Sequence, residues 1–214
     1  MVLTLHGVAT STCTKRVRIV LEELNVPYEL VHIDASKREH KSPAFLAVQP
    51  FGQVPYINDD GFKLYESRAI ARYLALKYGG IGTLIPDPAD LQKTALFEQA
   101  ASIETSNFDV YASGLAMENL FKKTWGAEPD LALVERLKTT LEGKLYAYDH
   151  HKKGGQMYLA GDDVTLADLF HLPYGALLET QGIDFLISGR WPNVTRWWKD
   201  ISSRASWKKI DVPA

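Results

Sequence analysis

The chain has 214 residues, enough for one large domain or two small ones, and 46% of it is apolar, which excludes a disordered segment as its main body. Twenty-four lysines and arginines face 26 acidic residues, a net charge of −2, so the overall charge gives no reason to expect nucleic acid or an anionic membrane as a partner. A single cysteine cannot close an internal disulfide, and the N-terminus carries neither a basic leader nor an apolar run long enough to cross a bilayer; the expectation is a cytoplasmic protein.

Leu3 to His6 and Tyr28 to Ile33 are short β-rich runs, and between them Val17, Val20, Leu21 and Leu24 fall at i, i+3, i+4 and i+7, one face of a helix. This is a βαβ unit, whose strands should be parallel and joined by a right-handed crossover. Just ahead of its helix, Thr10-Ser11-Thr12-Cys13-Thr14 gathers hydroxyls around the only thiol. After a polar loop, Val54 to Asn58 and Phe62 to Tyr65 flank the turn signal Asp59-Asp60-Gly61 and predict an antiparallel hairpin. Ile70, Tyr73, Leu74 and Tyr78 form a second helical stripe, stopped by Gly79-Gly80. Residues 1–80 therefore read as an α/β domain, and the breaker-rich stretch 81–90 as a linker.

Residues 91–214 lack strand alternation and predict an all-helical domain. Leu131, Val134, Leu137, Leu141, Leu145 and Tyr148 make one stripe, opened by Pro129-Asp130. Thr165 and Asp168 fit a capping box with Val164 stapled to Leu169, and Pro192 takes a first helical position ahead of Val194, Trp197, Trp198 and Ile201.

Three stretches carry candidate chemistry. In Gln49-Pro50-Phe51-Gly52-Gln53-Val54-Pro55, a cis Val54-Pro55 bond would leave neighbouring backbone groups free to pair with an extended ligand; the plainer reading is a Pro/Gly turn. Where a strand runs straight into a helix, Glu66 and Ser67 stand at a helix N-terminus that favours a carboxylate, with Glu66 placed to hold an ammonium beside it; alone, Ser67 is a cap. Ser36-Lys37-Arg38-Glu39-His40-Lys41 concentrates positive charge that can receive a second carboxylate, or is a solvated loop. The adjacent His150 and His151 lack metal-ligand spacing, and neither a P-loop nor GxGxxG occurs.

The order of these pieces resembles the cytosolic glutathione S-transferases, and their spelling is most similar to the phi class: Ser11 ahead of Thr14-Lys15-Arg16-Val17, then Glu39-His40-Lys41-Ser42-Pro43, Gln49 to Pro55, Glu66-Ser67-Arg68-Ala69-Ile70, Phe108-Asp109 and Trp191-Pro192-Asn193-Val194. The resemblance covers essentially the whole chain. It implies a thioredoxin-like N-terminal domain (βαβ, ββα), an all-α C-terminal domain with the hydrophobic acceptor site, and a homodimer that conjugates glutathione to hydrophobic electrophiles and reduces hydroperoxides as a second activity. Glutathione is then a cosubstrate, and no cofactor or metal is implied.

Carried over residue by residue, the resemblance makes Ser11 the thiol-activating hydroxyl. Glu66, Ser67 and Gln53 hold the γ-glutamyl end; Val54, with Pro55 in cis, pairs with the cysteinyl backbone; His40 and Lys41 meet the glycyl carboxylate. Arg68 belongs either to the ligand's field or to a salt bridge across the dimer. Thr12, Ala35, Met117 and Phe121 line the acceptor pocket, expected between the domains, and Met117 stands where the family often has an aromatic residue. Cys13 is the rival for the chemistry, since related transferases of cysteine type exchange disulfides through a first-turn thiol, but in those the thiol occupies the slot that Ser11 fills here. Two non-enzymatic readings stand beside these: a ligandin carrying hydrophobic molecules, and an interaction module of the elongation-factor gamma type.

Overall fold

A computed structural model describes residues 2–151 and 156–211; the side chain of His151 lies outside the described residues. The chain divides into two compact units, Met1–Ile85 with Ala205–Ala214, and Pro86–Arg204.

In the first unit, β1 (Leu3–Gly7), α1 (Thr12–Glu23), β2 (Tyr28–His32), α2 (Pro43–Leu46), β3 (Tyr56–Asp59), β4 (Phe62–Tyr65) and α3 (Ser67–Lys77) follow the expected order. The sheet runs β2-β1-β3-β4, with β1 parallel to β2 and antiparallel to β3, and β3 paired antiparallel with β4. Alternation in β1 buries Leu3 and Leu5. Exposed Glu29 and Lys63 lie on the two edge strands, where charge discourages pairing with another chain. The hairpin turns through Asp60 (φ 53°) and Gly61 (φ 90°), a turn with two positive φ angles that matches the twist of the strands.

Val17, Val20 and Leu21 of α1 are fully buried as the periodicity requires, but so is Ile19, off the predicted stripe. Ile19 shares a face of α1 with Lys15 and Glu22, and that face meets a second partner. The last helix, α11 (Ala205–Ile210), packs on α1 rather than extending the helical domain to the C-terminus as the sequence suggested. Trp207 and Ile210 are buried there, Lys15 pairs with Asp211 at 2.6 Å, Lys209 pairs with Glu22 at 2.6 Å, and Ser206 bonds Glu23. Ile70, Ala71, Leu74 and Ala75 form the inner face of α3. Tyr73 and Tyr78, placed on that stripe by sequence, sit at its rim and donate to the buried Asp59 carboxylate at 2.8 and 2.9 Å beside Lys77 at 2.7 Å. Burial alone would raise the Asp59 pKa, but these three hydrogen bonds hold it below the ordinary carboxylate value.

The second unit contains α4 (Leu91–Glu104), α5 (Val110–Ala116), α6 (Lys122–Thr124), α7 (Leu131–His151), α8 (Leu166–Leu169), α9 (Leu172–Thr180) and α10 (Pro192–Ser203), with π-helical turns at Thr105–Asp109 and Met117–Phe121. On α7, Leu141, Leu145 and Tyr148 are buried as expected, whereas Leu131 is 72% exposed. The capping box at Thr165 and Asp168 is present, and it does more than cap. The fully buried Asp168 carboxylate accepts from the Thr165 N–H (2.9 Å) and hydroxyl (3.1 Å), the Leu159 N–H (3.0 Å) and the Trp197 indole (2.9 Å). His171, also buried, donates from Nδ1 to the Ala167 carbonyl at 2.9 Å, so its Nε2 accepts from the Tyr148 hydroxyl at 3.0 Å. Among the described residues, no helix is long and apolar enough to cross a membrane.

Removing the Asp168 carboxylate strands several buried donors at once, each costing about 1–3 kcal/mol. Asp168→Ala is expected to lower the unfolding free energy in urea by about 3–5 kcal/mol, and Leu131→Ala, at an exposed position, by less than about 0.5 kcal/mol.

Candidate active site

The site is built from the starts of two helices and one loop of the first unit. Ser11 is the N-cap residue of α1, extended at φ −63° and ψ 133°, yet its side chain makes no capping hydrogen bond. A cap serine ordinarily accepts from an N–H of the first turn. Here the hydroxyl is uncommitted, no acidic side chain lies in the first turn, and the N–H groups of the helix start give that end a partial positive charge. The chain reaches this cap across a tight contact: a Cβ added to Gly7 would stand 2.6 Å from Thr14 Oγ1 and 3.4 Å from Pro55 Cβ. Strand β1, the first turn of α1 and Pro55 therefore meet at one glycine. The Thr14 hydroxyl in this contact is buried without a hydrogen-bond partner.

At the second helix start, Glu66 holds φ 70°, ψ 105°, outside the regions comfortable for a residue with a side chain, at a cost of roughly 1–3 kcal/mol. This geometry lets β4 turn straight into α3. It leaves Glu66 exposed and Ser67 buried at the first helical position. The Ser67 Oγ accepts from Arg16 Nη1 at 3.1 Å, and the same guanidinium nitrogen lies 3.5 Å from Cys13 Sγ. Arg16 is 1% exposed, so a buried cation ties the first turn of α1 to the start of α3.

The loop closes the third side. Val54-Pro55 is cis, and the ladder pairs begin only at Tyr56, leaving Val54 outside the strand register. Gln49 is buried and its Oε1 accepts from the Gln53 N–H at 3.1 Å. Lys41 donates to the Phe51 carbonyl at 3.1 Å and lies over Gly52. The stretch from Ser36 to Lys41 is less a free basic patch than its composition suggests. Asp34 accepts from the Ser36 N–H and hydroxyl and pairs with Lys37 at 3.2 Å, and Glu39 accepts from the Asp34 N–H at 2.7 Å. His40 is held below the ordinary imidazole value by burial first, then by Lys41 and Arg38.

Of the other sequence candidates, Thr12 is buried, Ala35 and Gln53 are exposed, and Arg68 is half-buried, its carbonyl accepting from Arg72 Nη1 at 3.3 Å. Met117, 40% exposed, and half-buried Phe121 belong to the second unit and delimit its second π-helical turn. Sequence reasoning used Arg16 only as a motif marker and did not single out Gln49 or Thr14. A signal for Arg16 was present: it precedes buried Val20 by four residues, so a cation sits on the apolar face of α1 and needs a buried acceptor. Among the described residues, no cluster of three or more His, Cys, Asp or Glu side chains is arranged to hold a metal ion.

Residues 1–76 match the family model for the glutathione S-transferase N-terminal domain, and residues 110–205 that for the glutathione S-transferase C-terminal domain. Glutathione S-transferase PM239X14 of Arabidopsis thaliana is 47% identical over 196 residues, 91% of this chain and 88% of that protein. The crystal structure of glutathione transferase F7 from Populus trichocarpa matches with a TM-score of 0.90 at 36% identity, covering 98% of this chain and 97% of that one. Glutathione S-transferase I from mais, solved in complex with an atrazine glutathione conjugate, matches with a TM-score of 0.90 at 29% identity over 98% of this chain and 96% of that one.

Gly52 tests the loop. It holds φ 61°, and a Cβ there would lie 2.9 Å from the His40 carbonyl oxygen and 2.7 Å from the Lys41 side chain. Gly52→Ala is expected to cost about 2 kcal/mol in urea unfolding, more than a glycine-to-alanine change in an unstrained loop.

Proposed function

The chain is a phi-class member of the glutathione S-transferase family, and from that membership we propose that it activates glutathione by a serine hydroxyl. Ser11 Oγ donates to the cosubstrate's sulfur, and the N-terminus of α1 adds its dipole. The carrying observation is the Ser11 hydroxyl itself, at a helix start and without a capping bond. A free thiol of pKa about 8.5 is only a few per cent thiolate at neutral pH, and lowering it by ~2 units takes ~2.7 kcal/mol of preferential stabilisation. One charge-assisted hydrogen bond supplies about 1.5–3 kcal/mol, and the helix terminus adds about 0.3–1 kcal/mol. Ser11 is then a donor, and the nucleophile is the thiolate of glutathione. Its sulfur attacks an electrophilic carbon, the carbon–sulfur bond forms as the leaving group departs with its electron pair, and the thiol proton passes to solvent.

The remaining roles follow the same reading. Glu66 takes the γ-glutamyl ammonium. Ser67, its oxygen already engaged by Arg16, presents its helix-start N–H to the adjoining carboxylate, with Gln53 assisting. Val54, next to cis Pro55, pairs its backbone with the cysteinyl residue, and His40 and Lys41 meet the glycyl carboxylate. Arg68 is assigned to a salt bridge across a homodimer. Thr12, Ala35, Met117 and Phe121 face the electrophile, whose hydrophobic class is supported by the conjugate bound in the mais protein. The protein works in the cytoplasm, in detoxification, and the reaction needs no cofactor beyond glutathione.

Ser11→Ala is expected to reduce turnover of an aryl halide about 100-fold, the equivalent of ~2 pKa units, while glutathione affinity changes less than about twofold. An ultraviolet titration of the bound thiol should move back toward about 8.5 in this variant. Cys13→Ser is expected to leave conjugation unchanged. Unchanged turnover in Ser11→Ala with loss in Cys13→Ser would transfer the chemistry to disulfide exchange, and tight dye binding without turnover on any electrophile or hydroperoxide would make the protein a carrier.

His40 gives a pH dependence with a defined sign. Its pKa in the free protein lies below 6.5, and an arriving carboxylate raises it, so binding takes up a proton. The contact is at full strength below the free value and is lost as pH rises through the bound value. Affinity for S-hexylglutathione, which has no thiol to ionise, should therefore fall between about pH 5 and pH 8, and the slope should vanish in His40→Gln. A flat wild-type profile would remove His40 from carboxylate recognition.

A further inference from the structure

The second unit contains a cavity of about 270 Å³ that none of these roles uses, lined by Ile103, Asn107, Lys144, Ala147, Tyr148 and Leu159. Ile103 comes from the last turn of α4, Asn107 from the π-helical turn that follows, and Lys144, Ala147 and Tyr148 from α7. Tyr148 and Leu159 are buried and give it an apolar floor, while exposed Ala147 marks its mouth.

Its polar side chains are the unusual feature. Asn107 and Lys144 are both half-buried, and among the described residues neither side chain has a hydrogen-bond or ion-pair partner. Four acidic groups of this unit have partners of their own. Glu142 pairs with Arg190, Asp149 accepts from the Asn193 N–H at 2.8 Å, Glu104 accepts from the Thr105 hydroxyl at 3.3 Å, and Asp168 has its own donors. The Tyr148 hydroxyl is engaged by His171, and its pKa is pushed well up, by burial first and then by Glu104 and Asp168, so it stays neutral. An ammonium and an amide thus share this lining with an apolar floor.

We propose that this cavity binds a small amphipathic carboxylate, its apolar body against Tyr148, Leu159 and Ile103 and its carboxylate on Lys144 Nζ and the Asn107 amide. One positive charge without a guanidinium fork suits a monoanion better than a phosphate. The volume lies just under the range that holds drug-sized ligands, which limits the body to about two fused rings. The site shares no residue with those assigned to glutathione or to the electrophile.

The test uses the full-length protein saturated with S-hexylglutathione and follows 2-naphthoate by titration calorimetry. The expected result is saturable binding of one molecule per chain. Lys144→Ala should weaken it about tenfold, the loss of one charge-assisted hydrogen bond, while changing the affinity of the neutral 2-naphthamide less than about twofold. Ala147→Trp, which obstructs the mouth, should weaken both probes, and aryl-halide turnover should be unchanged in both variants. Absence of saturable 2-naphthoate binding beside S-hexylglutathione, or equal affinity in wild type and Lys144→Ala, overturns the proposal. Failure of S-hexylglutathione to bind speaks instead against the glutathione reading and leaves the Lys144 comparison intact.

Discussion

The Arg16 guanidinium, sealed between α1 and α3, fixes the start of one helix against the start of the other. An unpaired buried charge is among the most destabilising features a fold can carry, so the acceptors around this cation are not optional. Ser67 Oγ is one of them. Ser67, the first residue of α3, therefore cannot drift from the helix whose N-cap is Ser11 without taking an acceptor from a buried cation. Arg16 thereby fixes one helix start against the other, while Glu66 and Gln53 beside them remain exposed.

Geometry on the other side is set by size rather than charge. Gly7 admits both Thr14 and Pro55, and Gly52 admits Lys41 over the backbone of the loop. These are close approaches at which a single methyl group would displace a neighbour. The two constraints are complementary. The buried cation ties the two helix starts together, Gly7 lets α1 and Pro55 approach the end of β1, and Gly52 lets Lys41 close over the loop.

Much of this was legible in the chain. Val17, Val20 and Leu21 gave α1 by period, Asp60-Gly61 gave the hairpin turn, and Thr165 with Asp168 gave the cap, because each rests on rules that act within a few residues. The division of Ser11, Gln53 and Ser67 among functional roles came from resemblance, since no local rule separates a catalytic hydroxyl from a cap. The docking of α11 on α1 was not legible: Trp207 and Ile210 announce an apolar face but not which helix covers it, and the ion pairs with Glu22 and Lys15 join residues far apart in sequence. Leu131 was misplaced for a related reason. Periodicity identifies the apolar face of α7 but not how far along it a neighbour reaches. The π-helical turns escaped because Met117 and Phe121, four residues apart, fit an α-helical stripe equally well.

Polar groups in the second unit sort the two kinds of site. Asp168, His171 and Glu118 are buried, and each is matched: Asp168 by backbone, hydroxyl and indole donors, His171 by Tyr148 and Ala167, Glu118 by Lys122 at 2.6 Å and the Asp130 N–H at 2.7 Å. Hydrogen bonds from these donors hold the Glu118 carboxyl below its ordinary value, the Lys122 contact foremost. Such groups organise the bundle, because leaving any one unmatched would cost more than its own bond is worth. Ser11, Asn107 and Lys144 are the opposite case, polar side chains at concave or helix-start positions with no partner among the described residues. The two sets lie in different units with different chemistry: a neutral hydroxyl at a helix start in one, an ammonium and an amide beside apolar side chains in the other.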